Sequence, residues 1–309
     1  MSDAVAPPAI DTTRPRELRD AVLGEAVGDA LGVPFEFRER DSFECTGMTG
    51  GGSHAQPAGT WSDDSAMMLA TCDSIKTCGR VDVDDMRLRF EAWLRMGSYA
   101  IDGVFDVGCT TSSALQAGHG MKGEWDNGNG SLMRIAPLAF CDATDDEVRD
   151  VSGITHAHHV SYETCVEFVH VLREAIADPV ALHARLVAEH GETPRRRIRS
   201  GGFVRDTYEA ALWCVGTTQS YRDCVLAAVN LGDDTDTTAA VAGALAGTIY
   251  DLYPRRVVGR LARHRDHRVL PVLASPRPQP PFPSLSMPYI EKKYPFRALM
   301  VPSCVHRIP

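Results

Sequence analysis

Residues 230–250 read NLGDDTDTTAAVAGALAGTIY, an alanine-rich apolar stretch with three aspartates at its start. Such a stretch is typical of a buried α-helix. Asp233, Asp234 and Asp236 stand where that helix begins, and their negative charges repel one another. The stretch therefore predicts a buried helix whose first turn needs either a positive partner or a capping role for its carboxylates.

Other segments repeat the helical pattern along the chain. In RELRDAVLGEAVGDALG, apolar residues recur at spacings of four (Leu18, Val22, Ala26 and Ala30) before the stop signal Gly32. The pattern returns in SAMMLATCDSIKTCG, DDMRLRFEAWLRMG, SYETCVEFVHVLREAIAD, DTYEAALWCVGTT and YRDCVLAAVN. Alternating patterns long enough for β-strands are hard to find. We therefore predict an all-α domain of many short helices joined by glycine-rich loops.

The chain of 309 residues is predicted to hold one large domain between two less regular ends. We expect a disordered leader at residues 1–14, the domain at residues 15–265, and a Pro- and Arg-rich tail at residues 266–309. The composition changes after Tyr250. An extended arm, a partner-docking segment and a stretch without selected function stay open for the tail, and its prolines favour the arm because they resist packing.

Composition limits the function classes. The chain is 44% hydrophobic and 24% charged, as in globular proteins. Its net charge of −9 gives no overall attraction to nucleic acid or anionic membranes, and no apolar run approaches the ~20 residues that span a bilayer. The nine cysteines are scattered, without a C-x-x-C pair, which favours reduced thiols. We expect a cytoplasmic monomer with no membrane or nucleic-acid partner.

A second acidic pair lies far upstream, in GTWSDDSAMMLA. Here Ser62, Asp63, Asp64 and Ser65 precede another apolar segment. One helix cap needs one carboxylate, so adjacent pairs at two helix starts exceed that need. Carboxylate and hydroxyl oxygens are the ligands that Mg²⁺ and Mn²⁺ prefer. The spacing leaves two interpretations open, a divalent-cation site built from both clusters or two independent helix caps.

Two further stretches are candidates for ligand binding. In DNGNGSLMRIAPLAF, residues 127–131 precede a predicted helix, and their glycines let backbone N–H groups approach a phosphate. An ordinary Asn-Gly turn is the alternative, and the missing G-K-[ST] excludes a P-loop. In SGITHAHHVSYE, His156, His158 and His159 cluster without H-E-x-x-H or a suitably spaced cysteine. This favours one ligand-orienting histidine over a zinc site.

Seven motifs follow one another along the chain: EAVGDALGVPFEF, GTWSDDSAMMLA, FDVGCTTSSAL, GNGSLMRIAPLA, SGITHAHHVSYE, DTYEAALWCV and NLGDDTDTTAAVAGALAG. In this order they resemble the ADP-ribosylglycohydrolase family, the relatives of dinitrogenase reductase-activating glycohydrolase, from about Arg16 to Tyr250. The resemblance implies an all-α orthogonal multi-helix bundle with two Mg²⁺ or Mn²⁺ ions. It also implies hydrolysis of the bond between C1″ of the distal ribose of ADP-ribose and an acceptor.

The resemblance assigns roles to individual residues. It places the metal ligands at Ser62, Asp63, Asp64, Asp234, Asp236 and Thr237. It implies catalytic roles for Glu36, Asp106, Asp64 and Asp234, and it leaves open whether Glu36 or Asp106 transfers the proton. It implies ligand contacts by Gly128, Asn129, Gly130, Ser131, Arg134 and His156.

Some positions depart from the family pattern or allow a second role. Ser62 replaces the usual Thr and keeps the hydroxyl, Cys109 stands where relatives often have Asn, and Asp233 replaces a glycine and is given no ligand role. A structural salt bridge is the alternative for Arg134. Tyr208 and Trp213 are expected in the helical core.

The identity of the acceptor is left open by the motifs. The resemblance implies ADP-ribosyl-arginine on a protein as the default, with serine, acyl and nucleic-acid linkages as alternatives, and the loop MTGGGSHAQPAG is expected to shape the acceptor side. Two other functions remain open: a non-catalytic ADP-ribose-binding or structural protein of the same fold, and a Mg²⁺-dependent nucleotide hydrolase. A near-complete set of oxygen ligands argues against the non-catalytic alternative.

Overall fold

The computed structural model describes residues 10–250 of the chain. Residues 1–9 and 251–309, which include most of the predicted leader and the whole predicted tail, lie outside the described part. The domain boundaries at residues 15 and 265 therefore stay predictions.

Within the described part, the chain forms ten α-helices, and its β contacts are isolated bridges. The helices are α1 (Leu18–Gly32), α2 (Asp63–Cys78), α3 (Val83–Met96), α4 (Cys109–Ala117), α5 (Asp145–Gly153), α6 (His159–Ala177), α7 (Pro179–His190), α8 (Val204–Gly216), α9 (Tyr221–Val229) and α10 (Thr235–Ile249). Short 3-10 helices cover Val33–Phe35, Asn129–Arg134, Ala136–Phe140 and Arg195–Arg197. The all-α prediction is confirmed.

Helix α10 lies at the centre of this bundle. Every residue from Thr235 to Ile249 is buried, as the apolar run predicts. The helix packs mainly against α1, with α8 and α9 on other sides. Because a helix that is apolar all round must be covered all round, α10 is the element around which the others are arranged.

Glycines allow α1 and α10 to approach backbone to backbone. A Cβ atom added at Gly28 of α1 would lie 2.0 Å from the carbonyl oxygen of Ala239, and one at Gly243 of α10 would lie 2.4 Å from that of Gly24. No side chain fits at such distances, since real Cβ contacts begin near 3 Å. This close contact brings the acidic start of α10 beside the end of α1.

Polar caps and glycines bound the helices, as the sequence predicts. The hydroxyl of Ser62 accepts a hydrogen bond from the backbone N–H of Asp64 at 3.4 Å, and α2 ends at Gly79 with a φ of 68°. Thr144 and Glu147 form a capping box at the start of α5. These local signals fix where each helix begins, and so they fix which carboxylates stand at its first turn.

The aromatic core residues lie behind the candidate site. Tyr208 and Trp213 of α8 are buried in the core, as predicted, and the indole N–H of Trp213 donates to the carbonyl oxygen of Thr193 at 2.8 Å. Among the described residues, no helix has the length and apolar character needed to cross a membrane.

Candidate functional site

The starts of α2 and α10 meet at one carboxylate. Asp64 is fully buried, and its Oδ2 accepts hydrogen bonds from the hydroxyl of Ser62 at 2.9 Å and from that of Thr237 at 3.3 Å. Asp63 precedes it in α2, and Asp236 lies buried in the first turn of α10. The structure therefore brings the two acidic motifs into one cluster, as the cation-site interpretation requires.

Three carboxylate oxygens of this cluster have no hydrogen-bond partner among the described residues. They are Oδ1 of Asp64, Oδ1 of Asp234 and Oδ2 of Asp236, all buried. Asp234 stands at the N-cap position of α10, yet its side chain makes no capping hydrogen bond. Leaving a buried carboxylate oxygen unpaired is costly, and a divalent cation is the partner that such oxygens suit best. These unpaired oxygens therefore favour a divalent-cation site over two independent helix caps.

Asp29 of α1 completes the cluster, although the sequence analysis gave it no role. Its carboxylate accepts hydrogen bonds from the backbone N–H of Ser62 at 2.9 Å and from the backbone N–H and hydroxyl of Ser65 at 3.1 and 2.5 Å. One oxygen each from Asp29, Asp64 and Asp236 lie within 4.8 Å of one another. The available signal was a lone carboxylate within the apolar stretch AVGDALG.

The cluster holds more negative charge than a buried site tolerates without a partner. Burial raises the pKa of Asp29 and that of Asp234 to about 6. Burial, followed by repulsion from neighbouring carboxylates, raises the pKa values of Asp63, Asp64 and Asp236 well above the usual range. The positive charge of a cation would offset this repulsion and favour the ionised forms.

Glu36 and Asp106 lie together beside the cluster. His54, which the sequence analysis did not single out, joins them, because its Nε2 contacts Oε2 of Glu36 and lies 3.9 Å from Oδ1 of Asp106. One ligand atom from each of the three lie within 4.8 Å of one another. Burial, followed by repulsion from Asp106 and Asp234, raises the pKa of Glu36 to about 10. Both candidates for proton transfer are thus present at one place.

Backbone strain is concentrated at this edge of the cluster. Phe37, Asp106 and Asp233 have φ values of 65°, 53° and 61°, in a backbone region that residues other than glycine rarely adopt. Asp233 is exposed, and its backbone exchanges hydrogen bonds with Phe37 and Arg38 at 2.8 and 2.9 Å. Asp233 therefore acts through its backbone, since this pair of bonds fixes the position of residues 37–38.

The loop of residues 127–131 reaches the acidic cluster through one side chain. The amide nitrogen of Asn129 donates to Oδ2 of Asp234 and to the hydroxyl of Thr207, each at 2.9 Å. The helix predicted after this loop is a short 3-10 helix, Asn129–Arg134, that begins inside the loop, so its dipole offers less to an anion than that of an α-helix. The contact joins the two predicted parts of the site, the metal ligands and the ligand-binding loop.

His156 lies behind this loop. A Cβ atom added at Gly130 would lie 2.9 Å from Cε1 of the His156 ring, and one at Gly128 would lie 3.3 Å from its Nε2. Nδ1 of His156 lies 2.7 Å from the hydroxyl of Thr155. Burial, followed by repulsion from Arg134, lowers the pKa of His156 to about 3, so the imidazole is neutral and has one donor and one acceptor nitrogen.

The side chain of Arg134 lies behind the loop. The side chain is fully buried, and its guanidinium donates to the carbonyl oxygen of Gly130 at 2.9 Å and to the hydroxyl of Thr155 at 2.7 Å. It also lies 4.6 Å from the centre of the Phe90 ring. No acidic residue of the described part forms a salt bridge with it. Arg134 therefore supports the loop from behind without the alternative salt bridge, and its ligand contact stays a prediction.

The remaining loop prediction concerns Ser131. This residue is fully buried, and its hydroxyl lies 3.5 Å from the thiol of Cys165 in α6. Gly128 and Gly130 lie against His156, as described above. Asn129 thus joins the loop to the acidic cluster, the glycines lie against His156, and Ser131 and Arg134 anchor the loop to the core.

Comparison with known proteins shows the family to which this chain belongs. A sequence model of the ADP-ribosylglycohydrolase family matches residues 11–275. The chain belongs to the ADP-ribosylglycohydrolase family. It is 35% identical over 262 residues to ADP-ribosylarginine hydrolase Tri1 of Pseudomonas putida (strain GB-1), covering 75% of this chain and 70% of that protein. It is 30% identical to ADP-ribosyl-[dinitrogen reductase] glycohydrolase of Rhodospirillum rubrum, and the match covers 74% of this chain and 84% of that protein.

A solved structure supports the same assignment. The chain superposes on an ADP-ribosylglycohydrolase-related protein complex with a TM-score of 0.63 and 31% identity, covering 76% of this chain and 88% of that one. The family resemblance and the family fold predicted from the motifs are confirmed. This ADP-ribosylglycohydrolase is accordingly an enzyme of the glycosyl hydrolase class.

Proposed function

We propose that this enzyme is a metal-dependent hydrolase that removes ADP-ribose from arginine side chains of modified proteins. The observation that carries the metal dependence is the set of three buried carboxylate oxygens without partners, on Asp64, Asp234 and Asp236. The arginine acceptor is supported by the names of two relatives, the ADP-ribosylarginine hydrolases Tri1 of Pseudomonas putida and Serratia proteamaculans.

The proposed centre holds two Mg²⁺ or Mn²⁺ ions. Its ligands are Ser62, Asp63, Asp64, Asp234, Asp236 and Thr237. When bound, the cations would orient the distal ribose and lower the pKa of a water molecule, so that hydroxide is present near neutral pH. Asp29 holds the start of α2 through Ser62 and Ser65, and it thereby orients the ligands of that helix.

The proposed reaction is the hydrolysis of one C–N bond. The oxygen of water bonds to C1″, the bond from C1″ to the guanidine nitrogen breaks with its electron pair, and that nitrogen takes up a proton. The products are ADP-ribose and unmodified arginine. Glu36 is the better placed proton donor, because burial and its neighbour Asp106 favour its protonated form. Asp106 then stays available as the base that accepts the proton of the water.

The other side chains bind and position the substrate. Asn129 is bonded to Asp234, so the loop that would hold the diphosphate is fixed relative to the metal ligands. His156 is neutral at physiological pH and supports that loop through Gly130. A retired enzyme would be expected to lose part of this arrangement, and the near-complete set of oxygen ligands supports an active one.

The cellular setting is also a proposal. Seven cysteines of the described part are free thiols, namely Cys45, Cys72, Cys78, Cys141, Cys165, Cys214 and Cys224, and this supports a reducing compartment such as the cytoplasm. The modified protein is the proposed partner, and the monomeric state stays a prediction.

Calorimetric titration of ADP-ribose with and without Mg²⁺, together with release of ADP-ribose from arginine-modified protein, tests the proposal. We expect Mg²⁺-dependent binding and release in the wild type and the loss of both, by at least about 100-fold, in Asp64→Asn and Asp234→Asn. Asp84→Asn is the matched control, because Asp84 is an exposed aspartate in the first turn of α3. Activity of Asp64→Asn within a few-fold of wild type would contradict the metal assignment, and release of AMP or phosphate would indicate a nucleotide hydrolase instead.

A further inference from the structure

Three aromatic rings lie together beside the two carboxyl groups that serve proton transfer. The centre of the His54 ring lies 5.9 Å from that of Phe37 and 5.1 Å from that of Phe105. Nε2 of the same His54 contacts Glu36 and lies 3.9 Å from Asp106. We call these five residues the aromatic–acidic cluster. We propose that it is the acceptor subsite, which binds a guanidinium group, and that Phe37 is its stacking residue.

The backbone of Phe37 shows that its position is imposed. Its φ of 65° is an outlier for a bulky residue. The N–H of Phe37 donates to the carbonyl oxygen of Asp233, the N–H of Asp233 donates to that of Arg38, and these two bonds hold Phe37 there. The ring is nevertheless 68% exposed, so the fold gains little apolar burial from it. A strained conformation that presents an apolar ring to solvent is the kind of outlier from which a ligand contact can be inferred.

The chemistry of the cluster selects a planar cation. A guanidinium group stacks on aromatic faces and at the same time donates hydrogen bonds in its own plane to carboxylates. The rings of Phe37 and Phe105 offer the faces, and Glu36 and Asp106 offer the acceptors. A serine hydroxyl or an acyl ester has neither the charge nor the planar donor set, so it gains little from the same contacts.

The reaction places the acceptor at this cluster. This step rests on the proposed function. A proton donor must lie within about 2.6–3.2 Å of the atom that it protonates, so the departing guanidine nitrogen lies next to Glu36 or Asp106. The rest of that guanidine group then lies among the three rings beside these carboxyl groups. Phe105 directly precedes Asp106 in the chain and is half-buried, which fixes one side of the subsite.

Adenine is the other planar group of the substrate, and it fits this place less well. Adenine is uncharged, and within ADP-ribose it is connected to the anionic diphosphate, which the Asp106 carboxylate would repel. The loop of residues 128–130 lies instead against His156, and its described contacts with His156, Thr111 and Asp234 involve no member of the aromatic–acidic cluster.

The test compares two small substrates, ADP-ribosyl-agmatine with a guanidine linkage and ADP-ribosyl-serine with a hydroxyl linkage. In Phe37→Leu we expect KM for ADP-ribosyl-agmatine to rise about 3- to 30-fold, the loss of one cation–π contact. The dissociation constant of free ADP-ribose should stay within about 2-fold. Phe37→Tyr keeps the ring and should restore KM. Leu88→Ala is the control, because Leu88 of α3 is similarly exposed, at 62%, outside the site.

The outcomes separate the subsite from the proposed function. If the wild type cleaves neither conjugate, the proposed function fails and the subsite fails with it. If it cleaves ADP-ribosyl-agmatine and Phe37→Leu does so with unchanged KM, only the subsite is overturned. A preference of the wild type for ADP-ribosyl-serine overturns it as well. Weaker binding of free ADP-ribose to Phe37→Leu would assign the ring to the nucleotide instead.

Discussion

The contact between α1 and α10 gives a quantitative prediction for Gly28→Ala. The new Cβ atom would lie 2.0 Å from the carbonyl oxygen of Ala239, and a real Cβ atom comes no closer than about 3 Å. The helices must therefore separate by about 1 Å. In an exposed helix, alanine would be more stable than glycine by about 1 kcal/mol, but overpacking of a rigid backbone costs about 2–4 kcal/mol. The net loss of about 1–3 kcal/mol corresponds to a fall in Tm of roughly 3–10 °C.

Gly153→Ala is the matched control for this substitution. Gly153 ends α5, and a Cβ atom added there meets nothing within 4 Å. We expect its Tm to stay level or to rise by about 2 °C. Thermal unfolding followed by circular dichroism measures both variants. A Gly28→Ala protein as stable as the wild type would refute the direct backbone contact of the two helices. The same separation would move Asp29 away from Asp236, so the metal affinity of Gly28→Ala should fall with its stability.

Two further predictions concern the metal site and the loop. Burial raises the pKa values of Asp29 and Asp234 to about 6, so protons compete with Mg²⁺ for these carboxyl groups below that pH. The rise in Tm on replacing EDTA with Mg²⁺ should therefore be full at pH 8 and shrink as the pH falls from 6 to 5. A rise in Tm that stays constant over this range would contradict the metal assignment. Arg134→Lys breaks buried hydrogen bonds to Gly130 and Thr155, so it should lose about 2–4 kcal/mol and weaken ADP-ribose binding. Arg149→Lys, whose ion pairs are more exposed, should lose under about 1 kcal/mol, and equal stability of the two variants would show that Arg134 does not anchor the loop.

The helices were predictable because their signals are local. The apolar run after Asp236 predicts a buried helix, and α10 is buried along its whole length. Residues such as Ser62 and Gly79 bound α2 through contacts within one turn. Apolar periodicity, capping and glycine ends all act over a few residues, so they can be seen in the sequence without knowledge of the fold.

The site was harder to predict from the sequence, because its contacts join distant parts of the chain. The hydrogen bond from Thr237 to Asp64 spans 173 positions, and the residues alone left open whether these two motifs meet. Asp29 was missed because a carboxylate inside an apolar helix has no local pattern that reports its partners. His54 was missed because it lies in a glycine-rich loop, whose course depends on tertiary contacts. The place of Arg134 behind the loop was not predictable, because the sequence does not show on which side of its loop the guanidinium lies.

The packing of α1 against α10 also affects how the enzyme folds during its synthesis. The hydroxyl of Thr235 donates to the carbonyl oxygen of Gly32 across 203 positions, and the hydroxyl of Tyr221 reaches Gly24 across 197. Contacts of such sequence separation form late and slowly, since a long loop must close first. During synthesis, α1 and α2 leave the ribosome long before α10 exists, and they carry Asp29, Asp63 and Asp64 without the carboxylates and hydroxyl at the start of α10. The proposed cation site is therefore incomplete in the nascent chain until α10 has docked, and metal binding can report that step of folding.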